Sequence, residues 1–115
     1  MHVTKDLVAA SATPLVLAIL QENDSYGYAI IKRVKELSGN ELVWTEGMIY
    51  PVLHRLEEQH FIGSYWRDAE SGRQRKYYRL KEEGTMELER QKKQWEMVHA
   101  ALTRTWVKNS EDEEE

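Results

Sequence analysis

The chain contains no cysteine, which excludes disulfides, thiolate metal sites and cysteine nucleophiles and fits a cytoplasmic protein. Its histidines (His2, His54, His60, His99) show no close ligand spacing, so no metal site is expected and they read as solvent or packing residues. Ser64 and Ser71 lack a paired base, and Gly47 and Gly72 belong to no phosphate-cradling loop. No enzyme and no cofactor are expected. Long apolar runs are also missing. Leu7 to Leu20, interrupted by Ser11, Thr13 and Pro14, falls short of the roughly 20 residues that a bilayer requires. It also lacks the basic flank and cleavage site of a signal peptide, so a buried core helix is expected and no membrane partner.

An overall positive charge is absent too, the net being -4, but its distribution matters more than its sum. Residues 111 to 115 are all acidic; without them 16 basic residues face 15 acidic ones, a net of +1. Arg67, Arg73, Arg75, Lys76, Arg79 and Lys81 cluster against only Asp68 and Glu70. A phosphate backbone senses such a local field within a Debye length of about 8 to 10 Å.

At 115 residues the chain has room for one modest core, which a second subunit can complete, and 41% hydrophobic residues is globular composition. Residues 4 to 22 predict a first helix whose apolar residues cover nearly its whole circumference, so it is buried on more than one side. Pro14 either kinks this helix or begins it behind Thr13. Asp24 or Ser25 is expected to cap a second helix over about 26 to 38, with Ile30 or Ile31, Val34 and Leu37 inward and Lys32, Arg33 and Lys35 outward. Gly39 suits its left-handed end. Leu42 to Trp44 reads as a short strand.

Thr45 is a good N-cap for a third helix. Stepping 100° per residue places Ile49, Val52, Leu53 and Leu56 on one packing face, with Gly47, Pro51 and His54 opposite and Tyr50 and Arg55 at the edges. Pro51 predicts a kink or tight first turn near Tyr50. Phe61 to Trp66 and Lys76 to Leu80 predict a hairpin with a mobile tip, Gly72 taking a positive φ. From Glu82 to about Lys108 a long helix is expected. Leu88, Trp95 and Leu102 recur every seven residues, with Gln91, Val98 and Thr105 at the half-steps, a short heptad pattern that buries its stripe by pairing. The fold class is therefore mainly α with a small β-hairpin: a winged helix-turn-helix over 1-81, a C-terminal dimerisation helix over 82-108 and an acidic disordered tail over 109-115.

Tyr26-Gly27-Tyr28-Ala29-Ile30, the run Thr45 to Glu57, Tyr65-Trp66, Gly72-Arg73, Lys76 to Leu80 and Gly84 together resemble the PadR family of transcriptional regulators. The shortness of the C-terminal part is similar to the subfamily of the lactococcal multidrug-responsive repressor. The resemblance spans residues 5 to about 107. It implies a homodimer built by the first and last helices, a repressor acting on double-stranded DNA, and a pseudo-palindromic operator. Two positions depart from the family: His60 replaces the usual Gly before the first wing strand, and Lys81 replaces the usual capping Thr.

Carried over by position, Thr45, Gly47, Met48, Tyr50, Pro51 and His54 would face the major groove. Arg55 would contact base or phosphate, or instead pair with Glu46 or Glu58. Arg73, Arg75 and Lys76 would be wing contacts, the plainer alternative being a solvated hairpin face. Lys32, Arg33 and Tyr26 would brace the backbone, Tyr26 being otherwise a packing residue. Trp95 would meet its symmetry mate, with Leu7, Leu88, Val98 and Leu102, at the dimer interface. The resemblance also implies a planar hydrophobic effector stacked on Trp95 and lined by Pro14, Leu17, Ala18, Gln91, Val98 and His99; a dimer-core tryptophan without ligand is the alternative. A second functional class stays open at this point: a drug-binding or protein-interaction module with weak or lost operator specificity.

Overall fold

In the computed structural model the backbone is described for residues 1–114 and the side chains for residues 1–107. The first helix, α1 (Lys5–Glu22), begins where the Thr4 hydroxyl accepts from the Leu7 amide. It runs unbroken through Pro14, so Pro14 is an interior residue and not a helix start. Ala12, Val16, Leu17, Ile19 and Leu20 bury one side of it while Leu7 stays half exposed.

A two-residue strand, β1 (Ser25–Tyr26), follows. The expected caps of the second helix are therefore corrected. Ser25 is spent on pairing with Tyr78, Asp24 accepts from the Tyr65 hydroxyl at 2.6 Å, and α2 (Gly27–Leu37) starts behind Tyr26 without any side-chain cap. Ile30 and Val34 are buried, but Leu37 is 51% exposed and does not join the inward set. The helix ends in a Schellman turn: Gly39 takes φ +62°, its amide donates to the Glu36 carbonyl, and the Asn40 amide donates to the Lys35 carbonyl. Leu42 to Trp44 forms no strand, since the third strand of the sheet is supplied by β1. Trp44 is instead a core residue.

The third helix, α3 (Glu46–Glu58), is capped by Thr45, whose hydroxyl accepts from the Met48 amide, and passes unbroken through Pro51. Its buried face is Ile49, Val52, Leu53 and Leu56, the set the rotation predicts. His60 closes α3 with φ +64°, its amide donating to the Glu57 carbonyl and that of Phe61 to the Leu56 carbonyl. The left-handed turn thus persists with an imidazole side chain in place of glycine.

The hairpin consists of β2 (Ile62–Asp68) and β3 (Gln74–Leu80), antiparallel, with Tyr65 opposite Tyr77 and Trp66 opposite Lys76. The strand order is β1-β3-β2, so β3 is central, and Gly72 in the tip has φ +85°. The last helix, α4 (Glu82–Glu114), opens on Glu82 and Glu83, whose charge suits a helix N-terminus. It runs past the expected end at Lys108 to Glu114; the side chains of the acidic tail expected to be disordered over 109-115, and Glu115 altogether, lie outside the described residues. Leu88 anchors α4 in the core against α1. At about 1.5 Å per residue so long a helix outreaches the body, consistent with a longest dimension of 65 Å.

Candidate nucleic-acid interface

With one face of α3 committed to the core, Gly47, Tyr50, Pro51 and His54 are left in solvent, and Met48 is partly buried. Gly47 has open space around it: a methyl group there would meet nothing nearer than the Thr45 hydroxyl at 3.9 Å. His54 Nε2 lies 3.0 Å from Glu58 on the same helix. Among the described residues Arg55 does not pair with Glu46 or Glu58. It donates to the Thr13 hydroxyl at 2.9 Å, pinning α3 to α1.

Beside α3 lies the wing. Tyr26, Gly27, Tyr28, Tyr50, Trp66, Gln74, Arg75, Lys76 and Tyr78 line one groove of about 530 Å³, so the recognition helix, the start of α2 and the wing share a surface. Arg75 lies over the Tyr26 ring at 4.4 Å and Arg67 over Tyr77 at 5.0 Å. Such contacts hold guanidinium groups in place without neutralising them. Among the described residues, Arg67, Arg73, Arg75 and Arg79 pair with no carboxylate, whereas Lys76 is 3.8 Å from Glu57. Glu57 also accepts from the Ser64 hydroxyl.

Tyr26, Tyr50, Arg75 and Lys76 are thus brought together as expected. Lys32 is not: it faces another hollow with Glu22 and Arg33, the latter bonded to Glu22 at 2.8 Å. That pair holds the Glu22 carboxyl below its ordinary range. Sequence reasoning missed Tyr28, Trp66 and Gln74 as groove residues. Tyr28 and Trp66 are 62% and 63% exposed, unusual for large aromatics, but nothing in a linear pattern separates an exposed strand aromatic from a packed one.

The second candidate surface surrounds Trp95. A largely apolar cleft of about 560 Å³ between α1 and α4 is lined by Leu7, Pro14, Ala18, Leu88, Lys92 and Trp95 among others. On the other side of Trp95 a smaller hollow is lined by Ala10, Gln91, Gln94 and Val98. Leu17 lines neither, being fully buried in the core, and His99 lines neither, being exposed on α4. Further along α4, Met97, Val98, Leu102, Trp106 and Val107 are exposed. Among the described residues no helix is long and apolar enough to cross a membrane, and no cluster of acidic and histidine side chains could hold a metal ion.

Residues 16–90 match the family described as transcriptional regulator PadR-like. The transcriptional regulator YqjI of Escherichia coli is 37% identical over 88 residues, 76% of this chain, which spans 41% of that protein's length. Among solved structures, a transcriptional regulator from Clostridium thermocellum superposes with a TM-score of 0.79 at 29% identity, covering 87% of this chain and 97% of that one. A PadR family transcription regulator from Clostridium difficile superposes with a TM-score of 0.72 at 35% identity, covering 82% and 96%.

Proposed function

Since this chain belongs to the PadR-like family of transcriptional regulators, non-enzymatic proteins that act on DNA, we propose that it is a homodimeric repressor of a pseudo-palindromic operator. Each protomer inserts the start of α3 into a major groove, with Gly47, Met48, Tyr50, Pro51 and His54 toward base edges. Arg73, Arg75 and Lys76 hold the phosphate backbone and supply much of the salt-sensitive affinity. The observation that carries this reading is the single groove in which Tyr50 of α3 meets Arg75 and Lys76 of the wing, beside guanidinium groups that pair with no carboxylate among the described residues.

The dimer forms through α1 and α4. Leu7, Val98 and Leu102, together with Trp106, leave an exposed apolar stripe on two helices that a second copy would cover. Trp95, half buried between two hollows, is the natural seat for a planar hydrophobic effector that alters the angle between paired α4 helices and releases the operator. The protein acts in the cytoplasm, where its DNA is.

The test is selection of a duplex from a randomised library, followed by gel shifts at several salt concentrations and transcription from a template carrying the selected site. A symmetric site, affinity that falls steeply with salt, and reduced transcription are expected. Binding with neither sequence preference nor salt dependence would overturn the reading.

A further inference from the structure

We infer that Arg55 is a positioning residue whose hydrogen bond to Thr13 ties the recognition helix to the apolar cleft beside Trp95, so that a ligand in the cleft weakens DNA binding by moving α3 within its own protomer. The inference rests on the DNA-binding and effector readings above and goes beyond them by naming the contact that couples the two sites.

Both ends of α3 are attached to walls of that cleft. Arg55, in the last turn, donates to the Thr13 hydroxyl at 2.9 Å, and the next residue of α1, Pro14, lines the cleft. At the other end, the segment that leads from α2 to the Thr45 cap contributes Ser38, Glu41 and Leu42 to the same cleft.

Each attachment falls where the structure is easiest to displace. Pro14 has no amide hydrogen to give the Ala10 carbonyl, so the hydrogen-bond ladder of α1 is interrupted beside the residue that holds Arg55. The bond from Arg55 to Thr13 is solvent-exposed and therefore modest, within reach of what a bound ligand can shift. In the segment before Thr45, Trp44 is 4% exposed and its indole nitrogen has no acceptor among the described residues. An enclosed donor without a partner is costly, so a displaced segment that supplies an acceptor recovers that cost. Leu42 and Trp44 share a second, smaller hollow with Met48 in the first turn of α3, which gives the shift room. A ligand that fills the cleft presses on Pro14 and Leu42 together. Close-packed elements answer by moving as units between discrete arrangements, and α3 follows α1 through Arg55.

The experiment measures linkage in the full chain. The probe is anilinonaphthalene sulfonate, an anionic aromatic that the duplex repels and that fluoresces in apolar surroundings; loss of its signal in Trp95→Ala places it in the cleft. Its affinity is measured with and without the duplex selected by the native protein. Bound duplex should weaken the probe about fivefold or more, and the probe should weaken the duplex by the same factor, because coupling is reciprocal. Thr13→Val removes the hydroxyl and keeps the shape, and Thr13 lines neither the cleft nor the groove beside the wing. This variant should keep its melting temperature and both separate affinities, while the coupling falls to within about twofold of none. Thr13→Ala should lose the coupling in the same way, and Thr13→Ser, which retains the hydroxyl, should keep it. A bond that served the fold alone would lower the melting temperature and leave the coupling intact.

Equal coupling in the native protein and Thr13→Val overturns the inference and leaves both earlier readings standing. If probe and duplex bind without affecting one another, the inference and the effector reading fall while the DNA-binding reading stands. If the probe signal survives Trp95→Ala unchanged, the cleft is not its seat and the inference falls with the effector reading. If no duplex is selected, the DNA-binding reading fails and takes the inference with it.

Discussion

Gly27 and Tyr50 meet edge to edge across the junction of α2 and α3: a methyl group on Gly27 would lie 2.9 Å from the Tyr50 hydroxyl oxygen and 3.0 Å from two carbons of its ring. Tyr50 is 47% exposed, so its ring can swing away. Gly27→Ala should therefore change unfolding stability by less than about 1 kcal/mol. It should nonetheless displace Tyr50 from its place beside the wing and weaken DNA binding several-fold. In a double-mutant cycle, Gly27→Ala should add little to Tyr50→Ala. Additive losses would show that the two residues act separately.

Gly84 is a different case. A methyl group there would fall 2.0 Å from the Phe61 carbonyl oxygen and 2.7 Å from Leu80 Cδ1. That carbonyl already accepts from the Lys81 amide at 3.0 Å, so backbone faces backbone and neither can swing aside. Gly84→Ala should cost about 3 kcal/mol or more. Urea unfolding followed by circular dichroism should show the midpoint fall accordingly. An unchanged midpoint would refute the packing of α4 on the entry to β2.

Gly47 separates stability from binding. Its surroundings accommodate a methyl group, and alanine is the better helix former by roughly 1 kcal/mol. Gly47→Ala should thus stabilise the free protein slightly, read as a higher melting temperature, while keeping α3 from its closest approach to DNA and reducing affinity. Undiminished affinity would remove Gly47 from the interface.

The carboxylate of Glu87 accepts from Arg90 Nε at 2.6 Å, Arg90 Nη2 at 2.7 Å and Gln91 Nε2 at 3.0 Å. The Arg90 hydrogen bond holds its pKa below the ordinary 4.5, against burial, which acts upward. Because the folded value is depressed, the stabilisation is complete above the ordinary value and is lost as pH falls through the folded value. The melting temperature of the native protein should drop more steeply below about pH 4.5 than that of Glu87→Gln. Parallel acid limbs would show that this cluster contributes nothing.

Val98 and Leu102 are 53% and 44% exposed on α4. Burying such side chains at an interface is worth roughly 1.5 to 3 kcal/mol each. Val98→Asp with Leu102→Asp should shift sedimentation from dimer to monomer and abolish operator binding by removing the second half-site contact. A dimer that survives both changes would place the interface elsewhere.

Local rules made much of this architecture legible. The Thr45 cap, the packing face Ile49, Val52, Leu53 and Leu56, and the positive φ at Gly39 and Gly72 all stand where spacing and residue chemistry put them. These features are set within one or two helical turns, which is the range a linear pattern carries. The ends that depend on distant partners were not legible. Asp24 accepts from Tyr65 across 41 residues, Arg55 donates to Thr13 across 42, and Ser25 pairs with Tyr78, so each was drawn away from its local role. His60 shows the reverse: a left-handed turn with an unfavourable residue persists because the Glu57 and Leu56 carbonyls already bind its amide and the next.

The amino-acid sequence alone determined the helix-hairpin order, the basic wing and the split of α3 into a packed and a free face, because periodicity and charge are properties of neighbours along the chain. Only the tertiary structure decided that Tyr50, Tyr78, the uncapped start of α2 and the wing cations converge on one groove, and that Leu17 belongs to the core while Trp95 sits between two hollows. Convergence of that kind is fixed by how α1, α2 and the sheet pack around a shared core. That packing energy depends on residues far apart in sequence.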